Sequence, residues 1–274
     1  MNDPNPPSYP KLPRNTVQRY KARGTYDYQT IHKIINTTPL LHVSFNTPSP
    51  DDPFPAILPM IGFMGSFTNP SASLSEPLDL YLHGYISSRL MRLSDLGTKN
   101  KKGEEENEEE EQGLPLTISA THLDGLVLAL TPNAHSYNYR SAILHGYATP
   151  VLNNEEKLWA MERLTNSVIP DRWKQTRVPP TKAEMMSTQI LRVRVVDASA
   201  KVRAGEPHDD RKDMGDEEVR RRVWTGVVPT WVQYGEPKGA GGNLVDGVPE
   251  YIAEFVRRGN EGGRRDAEEA MRKH

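Results

Sequence analysis

The chain has 274 residues, with 34 Lys and Arg against 36 Asp and Glu for a formal net charge of −2. It contains no cysteine, which excludes disulfides, thiolate metal sites, iron–sulfur clusters and a cysteine nucleophile. The charge balance excludes the basic footprint of a general nucleic-acid binder, and no apolar run reaches the roughly 18 residues of a membrane span.

Residues 1–20 are rich in Pro and polar groups and read as an extended arm without an apolar signal core, so a cytoplasmic protein is expected. Thr25–Thr37 has Tyr28, Ile31, Ile34 and Ile35 at helical spacing, and Pro39 ends it. Strand-like segments follow at Leu40–Phe45, Ala56–Phe63, Leu78–Gly84, Leu116–Leu123, Leu126–Thr131, Ser141–Leu152, Gln189–Val196 and Val223–Tyr234. Asp124-Gly125 lies between two of them and suits a tight hairpin. Gly62–Asp79 reads as a Ser-, Pro- and Gly-rich loop, and 97–113 as a disordered acidic insertion, because its run of glutamates repels itself. Glu155–Val168 is the clearest helix, with Leu158, Met161, Leu164 and Val168 along one face and Pro170 closing it. In the tail, Tyr251–Arg258 and Asp266–Lys273 are short helical segments with too little apolar face to dock firmly. Short strands dominate, so the expected class is mainly β with a few helices. An antiparallel barrel, closed or nearly so, hides its sheet edges and suits this pattern.

Three clusters carry chemistry. In Leu80–Arg89 a strand meets a helix start: Gly84 permits the turn, Ser87 or Ser88 caps, and Arg89 occupies the first helical turn. Amides, hydroxyls and a guanidinium then converge on one point, as a phosphate grip requires. His135–Ser141 packs aromatic and hydrogen-bonding groups between a strand end and a new strand. In Ser199–Gly205, Lys201 and Arg203 lie two apart beyond a strand end and so share a face. No metal-ligand spacing appears; His208-Asp209-Asp210 reads as a solvated turn whose carboxylates order the loop after Gly205. Trp173, Trp224 and Trp231 read as core or interface anchors.

The ordered set Arg23-Gly24-x-Tyr26-Asp27, His42–Phe45, Leu80–Gly84 with Ser88-Arg89, Asp124–Ala129, Asn138–Ser141, Glu156-Lys157, Ser199–Arg203 with Gly205, and Trp224-x-Gly226-Val227-x-Pro229 resembles the pyridoxamine 5'-phosphate oxidase-related, FMN-binding split-barrel family. Its flavin-nucleotide-binding, nitroimidazole-resistance-like branch is the most similar. The resemblance implies a split β-barrel of six to eight antiparallel strands over 21–234, followed by a polar tail at 235–274. It also implies a homodimer with FMN at the subunit interface. His83, Ser87, Ser88 and Arg89 match the phosphate side. Ile57, Leu58, Pro59 and Met60 match the strand beside the flavin ring, and Tyr139, Arg140 and Ser141 the strand near the cofactor. Two departures stand out. Arg89 is followed by Leu90 where true oxidases carry Lys, with Lys201 or Arg92 the compensating cations. The oxidases' substrate-phosphate Arg/His motif is also missing, so vitamin B6 oxidation is not expected.

The expected function is an FMN-dependent oxidoreductase acting on a small organic molecule, with a reduced nicotinamide or another flavin as electron donor. No catalytic acid, base or nucleophile stands out, and none is needed where the cofactor performs the redox chemistry. The alternatives are a flavin-binding protein without turnover and a haem-binding split barrel, for which His42, His83, His135 and His145 are the candidate ligands.

Overall fold

The computed structural model describes residues 6–47, 52–99 and 113–272. Its elements are β1 (Gly24–Thr25), α1 (Tyr28–Thr37), β2 (Leu41–Phe45), β3 (Ala56–Met60), β4 (Gly62–Gly65), β5 (Asp79–Tyr85), α2 (Arg89–Lys99), β6 (Leu114–Leu128), β7 (Ser136–Pro150), α3 (Asn154–Val168), α4 (Lys182–Ser187), β8 (Thr188–Arg203), α5 (Arg211–Met214), α6 (Glu217–Arg222), β9 (Gly226–Pro229) and α7 (Glu250–Arg272).

The strands form one mainly antiparallel sheet in the order β3-β2-β6-β7-β8-β5-β4, with β1 added to β8 and β9 to β6. This is the split-barrel fold; the sheet has nine strands, seven of them on this path. The path is open, yet its two ends are one residue apart in the chain: Ile61 alone separates β3 from β4. Consecutive Cα atoms are about 3.8 Å apart, so the sheet must curl until its ends meet at that residue. Gly62 makes the corner possible, since a Cβ there would lie 2.7 Å from Leu82 Cδ2 and 2.9 Å from Leu41 Cδ1. The loop expected over Gly62–Asp79 therefore begins as a buried strand.

The chain divides into two compact units. The first comprises residues through Ala120 together with Ser141–Ala200, and the second Thr121–Arg140 with Lys201 onward. In the first, Leu41, Val43, Leu80, Leu82, Ile118, Leu144, Leu191 and Val193 fill the barrel core. Alternation along the strands places them on one face. Helix α1, capped by Asp27, which accepts from Thr30 N at 2.8 Å, adds Ile31, Ile34 and Ile35 to this core. Helix α3 begins at the Asn153 cap and covers a second cluster of Phe63, Tyr81, Ala160, Leu164 and Ile190. The N-terminal arm is packed as well: Tyr9 is buried and its hydroxyl lies 2.7 Å from His32 Nε2.

In the second unit, β9 pairs with the end of β6, Gly125 opposite Pro229 and Leu128 opposite Gly226. The hairpin expected at Asp124-Gly125 does not form, because β6 runs straight through both residues. Gly125 has no positive φ; it is small because Val227 Cγ1 would lie 2.9 Å from a Cβ. The two expected tail helices are one helix, α7, whose Ala267 and Ala270 are buried. It packs through small residues. A Cβ on Gly259 would meet the Tyr234 ring at 2.7 Å, and one on Gly263 the Trp231 side chain at 3.4 Å. The acidic run at 100–112 lies outside the described residues.

Candidate functional site

The strand-to-helix element has the parts expected of it, arranged differently. Strand β5 continues through Gly84 to Tyr85, and the turn falls on Ile86–Ser88, with Ser88 N bonding Tyr85 O at 2.8 Å. Ser88 O accepts from Arg92 N at 3.1 Å, so Ser88 stands at the N-cap position of α2. Gly84 does not make the turn. It admits Met91, whose Cε would lie 2.7 Å from a Cβ there, so the helix seats against the strand. Leu90 and Met91 are fully buried, which leaves Ser87 and Arg89 exposed at the helix start. Arg89 has no carboxylate partner among the described residues, and its guanidinium lies 5.7 Å from the centre of the Phe45 ring. His83 is exposed on β5, and partial desolvation holds its pKa below the ordinary histidine value.

Phe45 connects this element to the other expected region. It pairs with Ala56, and Ser44 pairs with Ile57, so β2 brings β3 to the Arg89 side of the barrel. On β3, Leu58 and Met60 pack on the core while Ile57 and Pro59 are exposed. The strand ends the hydrogen-bonded path, so among the described residues its outer backbone groups pair with no strand. A free strand edge with an apolar exposed face can take the polar edge and the flat face of a ring system.

The other expected residues are differently engaged. Ser141, on β7, belongs to the first unit; Tyr139, Arg140 and Lys201 belong to the second. Arg140 is bound to Asp124 by two hydrogen bonds, and that pairing raises its pKa. Lys201 is half-buried on β8, inside the strand rather than beyond its end. Its neighbour Arg203 is buried against Asn138 Oδ1 and the carbonyls of Gly205 and Glu206. Asp209 orders the loop after Gly205, accepting from Leu130 N at 2.8 Å. Among the described residues no cluster of three or more His, Asp or Glu side chains can hold a metal ion.

A second site on the first unit was not legible as a whole. A cavity of about 230 Å3 is lined by Arg14, Ser44, Phe45, Asn46, Thr117 and His145, among others. Beneath it the carboxylate of Asp197, fully buried, takes His145 Nδ1 on Oδ1 at 2.9 Å and Arg14 Nε on Oδ2 at 2.7 Å. His145 was a candidate ligand; Arg14 and Asp197 were missed. The signal was present: Asp197 stands in the run Val195-Val196-Asp197-Ala198, and a carboxylate inside a buried strand requires partners.

A family model described as pyridoxamine 5'-phosphate oxidase matches residues 27–202. No curated protein matches the chain. Among solved structures, the flavocytochrome Anf3 from Azotobacter vinelandii is 28% identical with a TM-score of 0.68, over 91% of this chain and 99% of that one. The FAD and haem binding protein from Mycobacterium smegmatis is 24% identical with a TM-score of 0.66, over 85% of this chain and 97% of that one, a likeness of fold. No helix among the described residues is long and apolar enough to cross a membrane.

Proposed function

The chain belongs to the pyridoxamine 5'-phosphate oxidase family, and from that premise we propose that it is a flavin-dependent redox protein of the cytoplasm. The flavin is FMN, bound at the interface of a homodimer. The observation that carries the reading is Arg89: an exposed guanidinium without a carboxylate partner among the described residues, at the start of α2 behind Ser87 and Ser88. Helix N-terminal amides and a guanidinium together select a phosphate. Leu90, where the true oxidases have lysine, is fully buried, so an ammonium there would lose its hydration. The grip therefore rests on Arg89 and the two serines, with His83 beside them. Ile57, Leu58, Pro59 and Met60 present the strand edge to the ring.

When bound, the flavin supplies the electron-transfer chemistry, and the chain orients it and excludes competing reactions. A reduced nicotinamide or another flavin is the electron source, and a small organic molecule the acceptor. Titration of FMN and FAD by fluorescence quenching tests the cofactor. Tighter binding of FMN supports the reading; tighter binding of FAD moves the cofactor assignment to the dinucleotide. Steady-state reduction of quinones or nitro compounds well above that of free FMN separates an enzyme from a carrier.

A second reading has its own support. The 28% identical relative is named a flavocytochrome, the word for a protein that carries both flavin and haem. In this reading the chain binds a haem as well, since it carries an oriented histidine at a cavity.

A further inference from the structure

We propose that His145 Nε2 is the iron ligand of a haem seated at the cavity of the first unit, with Asp197 as the residue that positions it; this rests on the haem reading above. Asp197 is fully buried and its Oδ1 lies 2.9 Å from His145 Nδ1. A carboxylate acts only as an acceptor, so in the neutral imidazole Nδ1 carries the proton and the lone pair stands on Nε2. The side chain lines the cavity and is partly exposed, which suits a ligand role for the nitrogen that Asp197 does not engage. A histidine that binds a metal characteristically donates its other ring N–H to a carboxylate, which fixes the ring and raises its basicity.

The donor set selects the kind of metal. No group of three or more metal-ligating side chains exists among the described residues, so a bare divalent ion finds too few donors. A single imidazole suffices for iron whose four equatorial donors come from a porphyrin. The surroundings agree. Alternation along β7 puts Ile143 and Tyr147 on the face that carries His145, and Ile143 is exposed. The walls add Phe45, Leu116 and Val196 as apolar surface, with Ser44, Asn46 and Thr117 as the polar part. Arg14 spends Nε and Nη2 on Asp197, yet its side chain is 55% exposed at the cavity and can meet a haem carboxylate. At about 230 Å3 the cavity is smaller than the roughly 300–1,000 Å3 of an enclosing ligand site, so a macrocycle would extend beyond it.

His32 and the other candidate histidines are placed differently. His32 is buried with both ring nitrogens engaged, by Tyr9 Oη and Leu74 O. His135 Nδ1 bonds Thr131 O in its own loop, and His42 and His83 are exposed on their strands.

The test is addition of hemin to the full chain, gel filtration and a visible spectrum. The wild type should elute with a Soret band. His145→Gln removes the ring lone pair. It should bind hemin at least tenfold more weakly, with normal far-UV circular dichroism, and free imidazole should restore the band. His135→Ala should behave as wild type. Asp197→Asn should keep the band but raise the reduction potential, because the imidazole loses its anionic partner. A His145→Gln protein with wild-type affinity and spectrum would overturn the assignment while leaving haem binding in place. A wild type without a Soret band would instead remove the haem reading itself.

Discussion

Arg140 lays its guanidinium against the Asp124 carboxylate, with Nε 2.9 Å from Oδ2 and Nη2 2.8 Å from Oδ1. Asp266 of α7 stands 3.7 Å from its third nitrogen. Both hydrogen-bonding edges of the carboxylate are used, and Asp124 is buried within β6. Asp124→Ala and Arg140→Ala should each cost about 1.5–3 kcal/mol in urea unfolding, the range for hydrogen bonds to charged groups. Arg140→Ala should leave flavin affinity within about twofold of wild type, on the same ground that the guanidinium is already committed. A variant of normal stability that loses flavin would return Arg140 to the cofactor.

His32 makes the folded state sensitive to acid. Burial is the main cause that lowers its pKa to about 4, against an ordinary value near 6.5. Between those values the unfolded chain binds a proton that the folded chain refuses. Stability is therefore full above about pH 6.5 and falls as the pH drops toward 4, by roughly 3 kcal/mol in all. Urea unfolding at intervals between pH 7 and 4 measures the slope, and His32→Asn should reduce it. A signal assigned to the His32 imidazole that titrates near pH 6.5 would contradict the assignment.

Trp224 is 65% exposed beside β9, an unusual position for a large aromatic side chain. In the proposed homodimer it is an interface anchor. Trp224→Ala should shift sedimentation toward the monomer without loss of solubility. An unchanged sedimentation coefficient would place the interface elsewhere.

What the sequence disclosed depended on whether the signal was local. The helix expected at Glu155–Val168 is Asn154–Val168, because its periodicity and its Asn153 cap lie within one segment. The barrel class was legible in the same way, from strand alternation. Gly84 and Gly125 were read as turn residues, yet neither has positive φ. Each is glycine because something distant in space, Met91 over one and Val227 over the other, needs the room. Helix α7 shows the same limit. Gly259 and Gly263 look like a missing apolar face, but the aromatic side chains that pack there belong to Tyr234 and Trp231. The candidate site divides along this line too. Ser88 and Arg89 were found from their order in the chain, whereas Arg14 and His145 meet at Asp197 only after folding.

Arg89 should matter to the cofactor and little to the fold, since its side chain is exposed and has no carboxylate partner among the described residues. Arg89→Ala should weaken FMN binding by about 1.5–3 kcal/mol, the worth of a charge-assisted contact. The melting temperature without flavin should stay near that of wild type. Unchanged affinity would put the phosphate at another place on the barrel.

The central claim is that this barrel holds a flavin. Its most direct test is the absorption spectrum of the purified protein before and after addition of FMN and gel filtration. Flavin bands should co-elute with the protein at the size of a dimer. A colourless protein that stays colourless after FMN addition would contradict it.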